Sequence, residues 1–256
     1  MATAWASAAS PVATTPFLSP STSCRRRRER ATASHTAAIA GDYAVTRELC
    51  RQAGVVVAES LADFEDYTRL FCLLRGRRIA GWRLGALSNA GFECVAISDS
   101  AHRLDLVPFS EPTRRRLQGL LRRHRLHGIV EVRNPVDLTP MLDDEGYEEA
   151  IRAVLGDPDI DLGAVGIVPL TGALDTLPAR AGQREEVLRA GSIAQRMRLL
   201  AQEVDKPWVC IVDGGALYDP MARQIEAAGI PTFRSADRAL RALEAFAAAR
   251  LRVTCR

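Results

Sequence analysis

From about residue 41 onward, short apolar runs and stretches with helical spacing take turns along the chain. That alternation constrains the fold more than any other feature, because strands separated by helices pair in parallel and need cover on both faces. The spacing predicts helices over 43–52, 61–74, 92–102, 111–123, 144–155, 192–203, 221–228 and 236–249. Apolar runs predict strands over 55–57, 82–88, 128–132, 162–168, 208–212 and 231–233. Gly41-Asp42 reads as a helix N-cap, and Gly54 stops the helix it starts. The expected fold is α/β, a doubly wound parallel sheet. Such sheets place their sites at the carboxyl ends of the strands, so the candidate loops are 88–92, 134–139, 169–171 and 213–217.

Composition narrows the function classes. The chain has 256 residues, 47% hydrophobic and 25% charged, ordinary for a globular protein and long enough for one large domain or two small ones. No apolar run approaches the roughly 20 residues of a spanning helix, so no membrane partner is expected. The net charge of +3 is a property of the first 30 residues, where five arginines (Arg25 to Arg28 and Arg30) face only Glu29. The rest of the chain sums to −1, without the basic surface of a nucleic-acid binder, so no nucleic-acid partner is expected. The six cysteines are scattered with no CxxC pair or Cys/His cluster, so neither a metal site nor a disulfide framework is expected.

Residues 1–24 are rich in Ala, Ser, Thr and Pro and carry no charge; the arginine run follows. This is how an organellar transit peptide reads, and equally how an out-of-frame or mis-called lead-in reads. Either way residues 1–30 are expected to be disordered. The expected location is the cytoplasm, or an organelle if the leader is a transit peptide.

Few residues stand out as chemistry-bearing. His35 lies among small residues in Ala33-Ser34-His35-Thr36-Ala37, where an uncrowded neutral imidazole is a competent nucleophile toward phosphorus. Its plain reading is a solvated tail residue. The turn Ser88-Asn89-Ala90-Gly91 closes a strand and opens a helix, so free backbone N–H groups and the helix dipole there favour a phosphate or carboxylate. Its plain reading is a tight turn that uses Gly91 for backbone geometry. Asn134-Pro135-Val136-Asp137-Leu138-Thr139 reads as a strand-exit turn, with Asp137 bonded to backbone. His102, His124 and His127 and the arginines at 114–116 and 122–125 read as a hydrated surface.

Taken together, Ala33 to Asp42, Ala53-Gly54-Val55, Leu87 to Gly91 and Asn134 to Thr139 resemble the NDP-forming acyl-CoA synthetases, the superfamily of ADP-forming acetyl-CoA synthetase and succinyl-CoA synthetase. The resemblance runs over about residues 31–245 and implies a flavodoxin-like, succinyl-CoA synthetase-like fold. Residues 31–75 would be the end of a first flavodoxin-like domain carrying the phosphohistidine loop, and 76–256 a second, CoA-ligase domain. The resemblance makes His35 the catalytic phosphoryl carrier and Ser88, Asn89, Ala90 and Gly91 the phosphate-binding turn. It implies the reaction acyl-CoA + ADP + phosphate to acid + CoA + ATP, with CoA, ADP or ATP and Mg as substrates and no tightly bound cofactor. CoA-binding and ATP-grasp domains do not fit in this chain and are expected on partner chains, with the acyl-CoA or carboxylic acid as substrate. Ala37 and Phe92 stand where many relatives have glycine.

Two other readings compete with a working ligase fragment. One is a catalytically inactive remnant or binding module of the same fold. The other is a free flavin-binding or receiver-like domain, for which Asp137 and Asp213 are the obvious strand-end acids.

Overall fold

The computed structural model describes residues 17–18, 43–181 and 186–254, in two compact units that divide between Phe64 and Glu65. In the first unit, strand β1 (Phe17–Leu18) pairs in parallel with β2 (Val57–Ala58), within a stretch expected to lack order. Helix α1 (Tyr43–Gln52) precedes β2 and ends at Gly54, whose φ of +82° is the left-handed conformation that favours glycine. The expected strand at 55–57 is thus shorter and later, at Val57–Ala58. Helix α2 (Leu61–Leu73) crosses the division, and Ser60 caps it by accepting from Asp63 N at 3.0 Å.

The second unit is a five-stranded parallel sheet with helices on both faces. Its elements are β3 (Leu84–Ser88), α3 (Gly91–Ser100), α4 (Glu111–Arg123), β4 (Val136–Asp137), α5 (Asp144–Leu155), β5 (Leu162–Ile167), α6 (Ile193–Glu203), β6 (Trp208–Val212), α7 (Asp219–Ala227), β7 (Thr232–Phe233) and α8 (Ala236–Thr254). The strand order is β4-β3-β5-β6-β7, and every pairing is parallel. Numbered from β3, that is the 2-1-3-4-5 order of flavodoxin-like sheets, with its topological switch point between β3 and β5. The α/β, doubly wound expectation therefore holds.

Burial explains the strand composition. Every residue of β3, β5 and β6 is buried, so these strands read as continuous runs of apolar and small residues rather than alternating ones. Helices α4, α5, α6 and α7 pack side by side on one face, where Leu117, Tyr147, Ile151, Met197 and Ile225 fill one core. Helices α3 and α8 pack together on the other, with Ile97, Leu243 and Phe246 buried. The Phe71 and Phe246 rings meet edge to face at 5.2 Å.

The expected strand over 128–132 is a correction. Ile129 is largely exposed, Gly128 has φ +82°, and only the isolated bridge between His127 and Val130 forms there. The sheet edge is taken up instead by Val136 and Asp137, opposite Leu87 and Ser88. The Asn134 side chain decides this: it accepts from Ala86 N at 2.9 Å and donates to the Leu84 and Val107 carbonyls at 2.6 and 2.8 Å. One amide thus occupies the edge groups of β3 that a strand at 128–132 would have used. The final helix also runs past the expected Ala249, to Thr254.

Candidate functional site

The Ser88–Gly91 turn lies at the switch point, where β3 exits and α3 begins. Asn89 is buried, and its amide closes the gap to β5: Nδ2 donates to the Val168 carbonyl and Oδ1 accepts from Val168 N, both at 2.8 Å. Ser88 Oγ accepts from Ala90 N at 3.3 Å, and the Ser88 carbonyl accepts from Leu138 N at 2.8 Å. The side chains of the turn are therefore spent on fixing backbone. What faces outward is the start of α3, where the extended residue Ala90 holds the cap position and has no oxygen to offer the first-turn N–H groups. Helices α5 and α6 are capped by Asp143 and Ser192, whereas α4 and α7, like α3, start without a side-chain cap. An uncapped, partly exposed helix start is an electropositive cradle for an oxyanion.

The exit of β4 borders this cradle. Asp137 Oδ1 accepts from Thr139 N at 3.0 Å, the backbone-bonded role expected for it. Its Oδ2 lies so close to α3 that a Cβ on Gly91 would stand 3.0 Å away, so glycine is what admits the carboxylate beside the helix start. Among the described residues, no group of three or more His, Cys, Asp or Glu is arranged to hold a metal.

One site residue was not legible in the sequence. Glu93, in the first turn of α3, is 1% exposed, while its neighbours Phe92 and Val95 are each 59% exposed. The helix thus turns its acid inward and its large apolar residues outward. Room for Glu93 comes from Gly166 in β5, where a Cβ would meet Glu93 Cγ at 2.8 Å and Ser88 Oγ at 2.9 Å. The buried Tyr147 hydroxyl donates to the Gly166 carbonyl and holds that strand in place. Burial first, and then the neighbouring Asp213 carboxylate at the β6 exit, raise Glu93 to about 7. Burial likewise pushes the Cys94 thiol up to about 12 and raises Cys210, so both are inert core thiols.

The other sequence candidates separate. His35 lies outside the described residues. His102 and His127 are exposed, whereas His124 is half-buried, its Cε1 3.0 Å from where a Gly146 Cβ would be. Arg115 and Arg123 pair with Glu111 and Glu149, as a hydrated helix face would. The β5 exit, Val168-Pro169, offers no carboxylate of the kind a receiver domain would phosphorylate.

The chain is similar to several known proteins. The family described as "Succinyl-CoA ligase like flavodoxin domain" matches residues 6–71. The alpha subunit of ADP-forming acetate–CoA ligase II from Pyrococcus furiosus is 29% identical over 212 residues, covering 80% of this chain and 41% of the relative. ADP-forming acetate–CoA ligase I from Archaeoglobus fulgidus is 28% identical over 216 residues, covering 84% of this chain and 27% of the relative. Among solved structures, the dinucleotide-forming acetyl-coenzyme A synthetase 1 of Ca. Korarchaeum cryptofilum, in complex with phosphate and ADP, superposes with a TM-score of 0.71. It is 25% identical and covers 91% of this chain and 47% of that one. The chain thus spans less than half the length of these relatives. By fold and by sequence, the chain is similar to the NDP-forming acyl-CoA synthetases.

Proposed function

We propose that the chain supplies the phosphohistidine segment and the second phosphate-binding turn of an ADP-forming acyl-CoA synthetase. In this reading an acyl phosphate, formed from acyl-CoA and phosphate with release of CoA, gives its phosphoryl group to the His35 imidazole and leaves as the carboxylate. Phosphohistidine then passes the group to ADP, forming ATP and restoring neutral His35. The Ser88–Gly91 turn stabilises the phosphoryl oxygens through backbone N–H groups and the α3 dipole. Mg enters with the nucleotide as substrate.

The observation that carries this reading is the uncapped start of α3 at the switch point of the sheet. A second feature supports a partner domain closing on the same face. Phe92 in the first turn of α3, and Met141, Leu170 and Leu217 beyond the exits of β4, β5 and β6, are large apolar residues and all exposed, between 48% and 74%. Such a rim around a polar turn suits a surface that a CoA-binding or ATP-grasp partner covers.

The test is complementation. The chain is mixed with CoA-binding and ATP-grasp partner chains, and ATP formation from acetyl-CoA, ADP and phosphate is followed. The reading expects ATP only when this chain is present and none with His35→Ala. Equal ATP with and without the chain, or full activity in His35→Ala, would overturn it in favour of an inactive module of the same fold.

A further inference from the structure

At the β7 edge of the five-stranded sheet, a cavity of about 230 Å3 is bounded by β7, α2, α7 and the start of α8. Four arginines line it: Arg69 from α2, Arg223 from α7, Arg234 just before α8 and Arg238 in its first turn. Asp219 and Glu226 share the lining, and the buried Asp66 braces two of the arginines. Four cations against three carboxylates leave one positive charge unmatched in the cluster. Glu65 and Asp237 also act on Arg238 but do not line the cavity, and Asp237 is held by Ser235 and Arg241. The guanidinium groups are fixed in place. Asp66 accepts from Arg238 Nε and Nη2 at 2.8 and 2.9 Å and from Arg69 Nη2 at 3.1 Å. Arg234 Nη1 donates to the Val212 carbonyl at 3.1 Å, and its Nη2 pairs with Asp219. Arg69 lies over the Phe233 ring at 4.8 Å, with Nη1 3.4 Å from Glu226. Its Nε is buried and has no acceptor among the described groups. Arg223 is 78% exposed and stands 3.9 Å from Asp219.

We propose that this arginine-lined cavity binds a phosphate group, free or as the head of a small monoester, through Arg69, Arg223 and Arg238. The site is separate from the Ser88–Gly91 turn and does not depend on the ligase reading. A buried N–H without an acceptor costs free energy, and an oxyanion in the adjoining cavity supplies the acceptor that Arg69 Nε lacks. Arginine suits such a ligand, because its planar fork offers paired N–H groups to two oxygens of one tetrahedral ion. Asp66 holds two of the forks in position before the ligand arrives, which lowers the ordering cost of binding. Arg223, exposed at the rim, closes on the anion with a charge that is only loosely engaged. The volume sets the size of the ligand. It admits a phosphate group with a few further atoms and falls short of the roughly 300–1,000 Å3 of pockets for drug-sized ligands, so a nucleotide does not fit.

The test uses the full chain with isotope-labelled arginine and glycine, and sulfate as a stand-in for the phosphate dianion. The arginine Nε–H resonances are followed by NMR during the titration, that of Arg69 being assigned as the one missing from Arg69→Lys. The Arg69 resonance is expected to move with saturable binding, while the Gly91 amide reports the Ser88–Gly91 turn separately. Arg69→Lys keeps the charge but loses the fork, and is expected to weaken binding at least about tenfold, read from the Arg238 resonance. Arg223→Ala changes an exposed side chain that the fold does not need, and is expected to weaken binding about fivefold, read from the Arg69 resonance. Inorganic phosphate and glycerol phosphate are titrated next; tighter binding of the first assigns free phosphate, and of the second a monoester. An Arg69 resonance that stays still or drifts without saturating overturns the site, as does an affinity unchanged in both variants. Movement of the Gly91 amide alone also overturns it and leaves the turn standing.

Discussion

Glu93→Gln tests the buried carboxyl through folding stability, independently of any ligand. Glu93 sits at about 7 in the fold against an ordinary 4.5, so the folded state holds a proton that the unfolded chain releases earlier as pH rises. The sign follows: stability from this group is complete below 4.5, falls as pH rises toward 7, and is lost above it. At about 1.4 kcal/mol per pH unit, the gap is worth about 3 kcal/mol once the group is ionised. Glutamine keeps the shape of the side chain, cannot ionise, and offers an N–H to Asp213. The variant is therefore expected to be more stable than wild type by about 3 kcal/mol at pH 8 and by less than about 1 kcal/mol at pH 5. Urea unfolding followed by tryptophan fluorescence measures this, since Trp208 is buried in β6. An equal difference at the two pH values, or a less stable variant at pH 8, would refute the reasoning.

Three further substitutions probe the framework around the turn. Asn89→Ala removes both bonds to Val168 and strands its buried N–H and carbonyl; a loss of about 2–4 kcal/mol is expected in urea unfolding. Gly166→Ala drives a methyl into Glu93 and Ser88; it is expected to cost about 1–3 kcal/mol and to weaken sulfate binding at least about fivefold, read by calorimetry. Asp144 is buried and accepts from Asp175 N at 3.1 Å and from Ile193 N at 2.5 Å, so Asp144→Ala loosens the start of α6. A cost of about 1–3 kcal/mol is expected for it, read as a drop in thermal midpoint with sulfate affinity unchanged.

Much of this architecture was legible because the alternation of strand and helix is local. Helices 43–52, 111–123 and 144–155 and strand 208–212 stand where their spacing puts them. The turn at Ser88–Gly91 was legible too, since a strand exit followed by small residues and a helix has few alternatives. What the sequence could not show is decided by partners distant in the chain. The β4 edge shifted because Asn134 reaches Ala86, Leu84 and Val107, and nothing in the Val/Ile content of 128–132 records those bonds. Glu93 reads as an ordinary first-turn acid, placed to suit the helix dipole and facing water. Gly166, a strand away, gives it room inside, and burial there raises its pKa. The phosphohistidine candidate, His35, rests on the resemblance of its surrounding motif.

The most direct measurement is phosphoryl transfer to this chain. The protein is incubated with an ATP-grasp partner subunit and ATP labelled on its γ-phosphoryl group, and the label on the chain is tested for acid and base stability. The account predicts acid-labile, base-stable label that disappears in His35→Ala and weakens in Gly166→Ala. A folded chain that takes no label beside an active partner, or one that keeps its label in His35→Ala, would contradict it.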